Sequence, residues 1–537
     1  MSNHTVYIYP HERKIQVADE SSLLGNLIEH AIFLRSDCGG KGVCGKCLVK
    51  IRHADGDFET TEACRIQVSG DISIDIPATS IMPSYIIKKA PAILPVSFKQ
   101  SFDKNKKLPP SYGIALDIGT TTIALYLCDM NSGRVLSSMS VKNPQAIYGD
   151  DVMSRIGAVE KDEENLARLQ KLVVHIIEWA CQELVRSLKK QLSSIEKVVV
   201  VGNPTMIQLF LGINPTSIGV APYKPAFYEA QSIQGQKLGF EQLTCLIQTL
   251  PQISGFLGGD ILAAALGAEV GQCQDGTLLV DIGTNGEIIY KGKNEFYATS
   301  CATGPAFEGA TLSCGMQAIP GAIDKVIFAG ASKLPEYSMI QSSKEQALTL
   351  SPAGLCGSGV ISATAELYRN GVIDSGGAMA LDKSIISLQK DASGTKKYII
   401  AARGDGKGVE NKEVFINQKD IRSIQLGKAA LITGIEFLLK KEGVERPENI
   451  VVAGAFGSYL DKKDMMTLGM IPQVHQEKIE MAGNLAGAGA VMVLCNEHYL
   501  ELAQEMATRI EVVDLATNIE FQKAFVDNLK FPRLLRN

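Results

Sequence analysis

The sequence lacks the features that mark membrane-spanning, exported or nucleic-acid-binding proteins. No apolar run approaches the ~18–20 residues that a membrane span needs. The first residues, MSNHTVYIYPHERK, contain no apolar signal core, so we expect no export by a standard signal peptide. The net charge is −5 and there is no long basic stripe, so the sequence offers no electrostatic footprint for nucleic acid.

Tryptophan and metal-ligating histidines are also scarce. The only tryptophan, Trp179, lies in the apolar helical stripe LQKLVVHIIEWACQELV, where core packing is the expected role. His175 in the same stripe has no Cys or His partner at ligand spacing. The 12 cysteines are scattered along the chain, which favours a reducing cytoplasm over disulfide pairing. A chain of 537 residues is too long for one core and predicts three or four folding units.

Four cysteines near the N-terminus form a metal-binding pattern with the spacing Cys-x5-Cys-x2-Cys-x16-Cys: Cys38, Cys44, Cys47 and Cys64. Plant-type [2Fe-2S] ligands likewise cluster three cysteines in one loop and take the fourth from further along. Glycines within the run DCGGKGVCGKC let the backbone approach the cluster sulfides and adopt positive φ. Zinc is the main alternative, but structural zinc usually takes two short Cys or His pairs, and only one such pair is present.

Short strand-like and helical runs surround this cysteine pattern. HTVYIYP and KIQVAD alternate as strands, SSLLGNLIEHA predicts a helix capped by Ser21 or Ser22, and CLVKIRH and DISIDIP follow as strands. This order predicts a β-grasp ferredoxin domain over residues 1–87. Residues 88–111 contain four prolines and several lysines, which predicts an extended, mobile linker, with an ordered strap as the alternative.

A hairpin motif occurs twice in the remaining chain. GIALDIGTTTIALYL predicts a hairpin with Asp117 on its polar side, and TLLVDIGTNGEIIYK predicts a second hairpin with Asp281 in the same place. The shared string Asp-Ile-Gly-Thr recurs after 164 residues, which favours a duplicated fold. Each half also has a β-branched strand that ends in glycine, KVVVVGNPTM or NIVVAGAFGSYL, and ligands gather at such strand ends. The sequence therefore predicts two facing halves with a cleft between them that binds a triphosphate. The N–H groups of the turns would donate to the phosphates, and both aspartates would hold Mg²⁺.

These motifs resemble those of a known superfamily. DIGTTT, VDIGTNGE and VVAGAFGS resemble the phosphate 1, phosphate 2 and adenosine motifs of the acetate kinase, sugar kinase, Hsp70 and actin superfamily. GFLGGDILAAALGAE and NLAGAGAVMVL resemble its two connecting helices, whose small residues let the helices cross closely. Joined to an N-terminal ferredoxin, the set resembles the reductive activators of corrinoid-dependent methyltransferases and corrinoid iron–sulfur proteins. The short connection between the ferredoxin and the core leaves little room for an additional middle domain.

The resemblance implies a multidomain α/β protein in which a β-grasp [2Fe-2S] ferredoxin precedes a duplicated actin-like, ribonuclease H-like ATPase core. The core would comprise subdomains at residues 112–258 and 259–537. The implied activity is that of an ATP-hydrolysing corrinoid reductase, which passes an electron from the cluster to Co(II) and regenerates Co(I). The implied cofactors are the [2Fe-2S] cluster, ATP and Mg²⁺. The implied partners are a corrinoid protein, an electron-donor protein and a second copy of the chain, with no nucleic acid or membrane.

The resemblance also implies residue roles. The residues expected to contact ATP are Gly119, Thr120, Thr121, Thr122, Asn203, Gly283, Thr284, Asn285, Gly286, Gly454, Ala455, Phe456 and Gly457. Asp117 and Asp281 would serve as catalytic carboxylates that hold Mg²⁺, and Glu287 or Glu308 could orient the attacking water. Residues 299–315 are expected to form the corrinoid-facing loop. The cysteines at positions 301, 314 and 356 are interpreted as small buried hydrophobes rather than redox groups.

Three alternatives remain open from the sequence. The chain could activate another low-potential enzyme, as dehydratase activators do, although those usually hold a cluster at a dimer interface. It could be a redox-sensing regulatory ATPase that delivers no electrons, or a small-molecule kinase with an appended sensor. ATP-dependent formation of Co(I) would distinguish the corrinoid reductase from all three.

Overall fold

The computed structural model describes residues 3–9, 12–30, 32–36, 40, 42, 45–52, 58–77, 80, 93–102, 108–309, 312–316, 318–328, 335–341, 351–380, 387–390, 394–402, 413–454, 460–515 and 518–534. The chain divides into two compact units. One contains residues 1–86 and 106–249, and the other contains residues 87–105 and 250–537. No helix in the described part of the chain is long and apolar enough to cross a membrane.

The N-terminal part of the first unit is a five-stranded sheet with one helix. Its elements are β1 (Asn3–Tyr9), β2 (Arg13–Ala18), β3 (Ser21–Ser22), α1 (Leu23–Glu29), β4 (Leu48–Arg52), β5 (Phe58–Glu62), β6 (Gln67–Val68) and β7 (Ile72–Asp75). The sheet order is β2-β1-β7-β4-β5, with β1 and β7 parallel and the other pairs antiparallel. Ser22 is the N-cap of α1 and accepts a hydrogen bond from the Gly25 amide. The predicted β-grasp ferredoxin fold is confirmed.

Part of the predicted linker is an ordered strap. It contains α2 (Val96–Gln100), whose Phe98 side chain is fully buried. The Phe98 ring lies 5.1 Å from the Phe102 ring and 5.8 Å from the Tyr499 ring, measured between centroids. Ser97 also donates a hydrogen bond to Glu269. For residues 93–102 the expectation of a mobile linker is therefore wrong, because an aromatic anchor fixes the segment in the second unit.

The rest of the first unit is a six-stranded sheet with helices. Its elements are β8 (Tyr112–Ile118), β9 (Thr122–Asp129), β10 (Arg134–Lys142), α3 (Val152–Lys161), α4 (Glu164–Ser187), β11 (Ile195–Gly202), α5 (Pro204–Leu211), α6 (Thr216–Gly219), β12 (Ser232–Gln234) and β13 (Leu246–Thr249). The ferredoxin core is continuous with the core of this sheet. The Trp179 ring on α4 lies 5.9 Å from the Phe33 ring of the ferredoxin, so the lone tryptophan packs the two parts together.

The second unit contains a matching six-stranded sheet and further smaller sheets. Its elements are α7 (Gly259–Gly267), β14 (Thr277–Ile282), β15 (Gly286–Lys291), β16 (Phe296–Cys301), β17 (Ala322–Ile327), β18 (Glu336–Met339), β19 (Gly354–Leu355), α8 (Gly357–Arg369), β20 (Leu388–Lys390), β21 (Lys396–Ala401), β22 (Val414–Asn417), α9 (Gln418–Lys441), β23 (Asn449–Ala453), α10 (Lys462–Leu468), β24 (Ile479–Gly483), α11 (Leu485–Cys495), α12 (His498–Arg509), β25 (Ile510–Val512) and α13 (Ile519–Asp527).

The two large sheets share one topology. The first sheet has the order β10-β9-β8-β11-β13, continued by β12, and the second has the order β16-β15-β14-β23-β24, with β25 at its other edge. In each sheet an antiparallel hairpin is followed by two parallel strands on the far side of its first strand. The duplication predicted from the repeated Asp-Ile-Gly-Thr string is therefore present in the strand order.

The helices predicted to connect the halves cross at close range in the second unit. A Cβ added to Gly267 on α7 would lie 2.8 Å from the Leu485 carbonyl oxygen of α11. A Cβ added to Gly489 on α11 would lie 2.6 Å from the Ala263 Cα of α7. Only glycine fits such an approach without moving backbone, so the small residues do allow the predicted close crossing.

Candidate nucleotide and cluster sites

Two of the four predicted cluster ligands are brought together by the ferredoxin fold. Cys47 is buried at the end of the cluster loop (residues 38–47), directly before β4. Its carbonyl oxygen accepts a hydrogen bond of 2.8 Å from the Ala63 amide, and Cys64 follows in the 3-10 turn. Cys38 and Cys44 lie outside the described residues.

The backbone of the cluster loop has the conformation that a cluster requires. Gly40, Gly42 and Gly45 have φ values of +87°, +69° and +62°. A Cβ added to Gly40 would lie 3.9 Å from the Cβ of Cys64, so this part of the loop lies against the fourth ligand. The Arg65 guanidinium also donates to the Gly42 carbonyl oxygen at 2.6 Å. The described part of this site therefore fits a [2Fe-2S] cluster.

The first predicted phosphate loop, the phosphate 1 loop (residues 119–122), is a tight turn between β8 and β9. The Gly119 amide donates to the Thr122 carbonyl oxygen at 3.0 Å. Asp117 and Thr120 are both buried beside this turn. The Asn203 side chain donates to the Thr120 hydroxyl at 3.2 Å and also caps α5. The fold thus brings together the predicted residues of this half.

Two buried side chains that sequence reasoning missed support the phosphate 1 loop from behind. Asn143 donates from its side chain to the Gly119 carbonyl oxygen at 3.0 Å and from its amide to the Thr121 carbonyl oxygen at 2.9 Å. Arg155 on α3 is fully buried and donates to the Thr120 carbonyl oxygen. No sequence signal marked Asn143, whereas an arginine on the apolar face of a predicted helix could have been noticed.

The second predicted phosphate loop, the phosphate 2 loop (residues 283–286), is also a tight hairpin turn, one residue shorter than the first. The Gly283 amide donates to the Asn285 carbonyl oxygen at 2.9 Å. The Thr303 hydroxyl contacts the carbonyl oxygens of Gly283 and Thr284 at 3.1 and 3.0 Å. The Thr284 hydroxyl donates to Glu308 at 2.8 Å. Glu308 therefore holds the phosphate 2 loop in place.

Three carboxylates come together beside the phosphate 2 loop. Asp281 on β14 faces Glu287 on β15 in the hairpin register, and Asp260 lies in the first turn of α7. Burial raises the pKa of Glu287 well above its usual range, and the charges of Asp260 and Asp281 raise it further. Asp260 was missed from the sequence, although its position directly after two glycines at a helix start was a usable signal.

In the described part of the chain, the protein side chains do not by themselves form a metal-binding site. No group of three His, Cys, Asp or Glu side chains is placed there to hold an ion. Mg²⁺ in phosphate-transfer sites is usually held by one or two carboxylates together with phosphates and waters. Asp117 is buried beside the phosphate 1 loop in the first unit, and Asp281 lies beside the phosphate 2 loop in the second unit, so each unit has one candidate carboxylate.

Both halves end a parallel strand with a glycine that contacts the hairpin. A Cβ added to Gly202 would lie 2.8 Å from the Ile118 carbonyl oxygen at the end of β8. Gly454 has a φ of +108°, and an added Cβ would lie 2.9 Å from Asp281 Oδ1. The equivalent approach in both halves extends the duplication to the site itself. Residues 455–457, the rest of the predicted adenosine contact (Ala455, Phe456 and Gly457), lie outside the described residues.

Three domain families match consecutive parts of the chain. Residues 6–69 match the 2Fe-2S iron-sulfur cluster binding domain, residues 112–272 match the RACo middle region, and residues 275–536 match the C-terminal domain of RACo, the ASKHA domain. The corrinoid activation enzyme RamQ of Eubacterium limosum is 29% identical over 97% of this chain and 98% of its own length. A reductive activator for a corrinoid, iron-sulfur protein superposes with a TM-score of 0.72 at 26% identity, covering 98% of both chains.

The chain belongs to the family of reductive activators of corrinoid proteins. Another relative, the [Co(II) methylated amine-specific corrinoid protein] reductase of Methanosarcina barkeri, is 27% identical over 78% of this chain and 77% of its own length. The match to the middle region at residues 112–272 covers the predicted first ATPase subdomain at residues 112–258.

The predicted corrinoid-facing loop of this activator is partly buried. Thr299, Thr303 and Glu308 are all buried, and the Thr299 hydroxyl donates to the Val513 carbonyl oxygen at 2.8 Å. Ala302 and Ser313 of the same segment are exposed, so the corrinoid face stays a prediction.

Of the three cysteines interpreted as small hydrophobes, Cys301 and Cys356 are buried and Cys314 is partly buried. Burial raises the pKa of Cys301 to about 12, and it also raises the pKa values of Cys314 and Cys356. A raised pKa keeps a thiol protonated and unreactive at neutral pH. The interpretation of these three residues as packing groups rather than redox groups agrees with their surroundings.

Proposed function

We infer that this protein reductively activates a corrinoid protein in an ATP-dependent reaction. It passes one electron to inactive Co(II) and regenerates Co(I). The observation that carries this inference is the order of domains, in which a ferredoxin at residues 6–69 precedes the middle region and the ASKHA domain. RamQ, which is named a corrinoid activation enzyme, is matched by this chain over 98% of its length.

The energetic reason for joining a ferredoxin to an ATPase is the low potential that Co(II) reduction demands. A plant-type [2Fe-2S] cluster supplies single electrons near ~−400 mV. Each further ~100 mV uphill costs about 2.3 kcal/mol per electron. ATP binding and hydrolysis in the same protein can offset a cost of that size.

The residues of this chain would form two kinds of site, one for the cluster and one for the nucleotide. We propose that four cysteines hold the cluster: Cys38, Cys44, Cys47 and Cys64. The phosphate 1 and phosphate 2 loops would bind the ATP phosphates through their amides and threonine hydroxyls. Asn203 would orient Thr120 in the first loop, and Gly454 with residues 455–457 would contact the adenosine.

The carboxylates near the loops would serve the hydrolysis step. Asp117 and Asp281 would hold Mg²⁺ directly or through water. Of the two candidates for orienting the attacking water, we favour Glu287, because Glu308 already accepts the Thr284 hydroxyl. A buried carboxylate with a raised pKa can act as a base nearer neutral pH than an exposed one.

We also propose the remaining features of the system. A separate electron-donor protein would reduce the cluster, and the chain would form a homodimer, which sedimentation equilibrium can test directly. A cytoplasmic location would suit a cluster protein with 12 scattered cysteines.

The decisive assay mixes the anaerobically reduced protein with a Co(II)-corrinoid protein and MgATP, and follows the absorbance of Co(I). We expect ATP-dependent Co(I) formation in the wild type. Asp281→Asn should abolish the ATP dependence while leaving the cluster spectrum intact. Asp275→Asn, an exposed aspartate just before the same strand, is the matched control and should behave as wild type. An intact cluster without ATP-dependent Co(I) would overturn the proposed function.

A further inference from the structure

One short stretch of the first unit contacts both of its predicted sites. This connecting segment (residues 142–147) begins at the end of β10 and includes a 3-10 turn. Toward the nucleotide, its Asn143 amide donates to the Thr121 carbonyl oxygen at 2.9 Å. The Asn143 side chain donates to the Gly119 carbonyl oxygen at 3.0 Å. The connecting segment is thus hydrogen-bonded to the phosphate 1 loop at two points.

The same segment contacts the ferredoxin beside the cluster loop. The Lys142 ammonium donates to the Ser36 carbonyl oxygen at 3.1 Å, two residues before Cys38 in the chain. A Cβ added to Gly40 would lie 3.7 Å from Ile147 Cγ2 and 3.9 Å from Cys64 Cβ. Ile147 therefore packs on the part of the cluster loop that lies against a predicted ligand.

The interior of the connecting segment is held firmly, so a displacement at one end would be passed to the other. Asn143 and Gln145 are fully buried. The Gln145 side chain donates to the Leu169 carbonyl oxygen of α4 at 3.0 Å and accepts from Arg155 at 3.2 Å. Arg155 also donates to the Thr120 carbonyl oxygen, which closes a second route from the segment to the phosphate 1 loop. Buried polar networks are rigid when their donors and acceptors are hydrogen-bonded to one another.

The contact with the ferredoxin is less tightly filled than the segment itself. A cavity of about 10 Å³ separates Phe33, Leu34 and Ser36 from the connecting segment. Dense cores resist displacement, whereas a gap at an interface lets two rigid parts change their relative position. A cavity of this size holds about one water molecule, so it leaves room for a small shift of the connecting segment against the ferredoxin.

We propose that Lys142, Asn143 and Ile147 are positioning residues that couple nucleotide binding at the phosphate 1 loop to the surroundings of the cluster. The proposal rests on the proposed function, since it requires that the chain bind both a cluster and a nucleotide. Coupling between two binding equilibria is reciprocal. Nucleotide binding must therefore change the cluster's reduction equilibrium by the same factor by which reduction changes nucleotide affinity.

The test measures this reciprocity on the full-length protein with its cluster. The dissociation constant of a non-hydrolysable ATP analogue with Mg²⁺ is determined for the oxidised and the reduced protein. The cluster's midpoint potential and electron paramagnetic resonance spectrum are recorded with and without the analogue. We expect an affinity ratio of about threefold, which corresponds to a potential shift of about 28 mV at 59 mV per tenfold for one electron, and a changed spectrum.

Lys142→Met removes the Ser36 contact, and Ile147→Ala removes the packing on the cluster loop. Both variants should keep their iron content and bind the analogue, with an affinity ratio near one and a spectrum that no longer responds. Lys161→Met, at an exposed position on α3, is the matched control and should keep the coupling. Lys142→Met is the milder change and serves if Ile147→Ala does not fold.

Two results would overturn the coupling. The first is an affinity ratio of one with an unchanged spectrum in wild-type protein that binds both cluster and analogue. The second is wild-type coupling in the Lys142→Met protein. Failure of the proposed function is a separate result, since it would appear as missing cluster, missing nucleotide binding or missing ATP-dependent Co(I).

Discussion

Replacing Gly489 with alanine should force α11 away from α7, even though alanine is the better helix former. The added Cβ would lie 2.6 Å from the Ala263 Cα and closer still to the Ala263 carbonyl oxygen. Distances under 3.0 Å essentially never occur for real Cβ atoms, and both contacted atoms belong to backbone. A side chain could rotate out of the way, but here one helix must move relative to the other.

The expected change in stability for Gly489→Ala is the sum of two opposing effects. Glycine to alanine in a helix interior gains up to about 1 kcal/mol of stability. Overpacking a dense core costs about 1–3 kcal/mol, and a backbone-to-backbone clash belongs at or beyond the upper end. We expect a net loss of about 2 kcal/mol in the local stability of the helix pair. Asp260 lies in the first turn of α7, so nucleotide binding should weaken as well.

Hydrogen exchange of α7 and α11, read by mass spectrometry, is the appropriate assay because a chain with two units need not unfold in one step. Exchange should accelerate in both helices of the Gly489→Ala protein. Gly157→Ala is the matched control, because an added Cβ on α3 meets nothing within 4 Å and should slow exchange there. Unchanged or slower exchange in α7 and α11 of Gly489→Ala would refute the close crossing.

Three further predictions concern the site and the core. Thr303→Val removes both hydroxyl contacts to the phosphate 2 loop and should weaken nucleotide binding about tenfold, measured by calorimetry. Thr364→Val removes only a hydrogen bond within α8 and should leave nucleotide affinity unchanged. Cys64→Ser should lose the visible absorbance of the cluster, and Cys245→Ser should keep it. Burial lowers the pKa of Lys428 to about 8, below its unfolded value of 10.5, so the unfolded state binds more protons between those values. Stability should therefore rise with pH across that window in urea titrations, and Lys428→Met should flatten the rise.

The local patterns of the sequence predicted the elements that depend on short-range signals. Alternating strands, the capping Ser22 and the repeated hairpins all appear where they were expected, because periodicity and turn chemistry act over a few residues. Asp260 and Arg155 were missed because their roles arise only when distant elements pack beside the phosphate loops. Residues 299–315 also show that a polar, glycine-rich segment can be partly buried when its polar groups are hydrogen-bonded.

The registers of the two hairpins show that the duplicated fold carries different side chains in its two halves. In the first hairpin Asp117 faces Ala124, whereas in the second Asp281 faces Glu287, and the second turn is one residue shorter. The second hairpin therefore carries a facing pair of carboxylates, with Asp260 close enough to raise the pKa of Glu287. The first loop is instead supported by the neutral amide of Asn143 and the cation of Arg155, which suit an anionic phosphate. This asymmetry supports the proposal that both loops bind phosphate and that a carboxylate of the second hairpin activates the water.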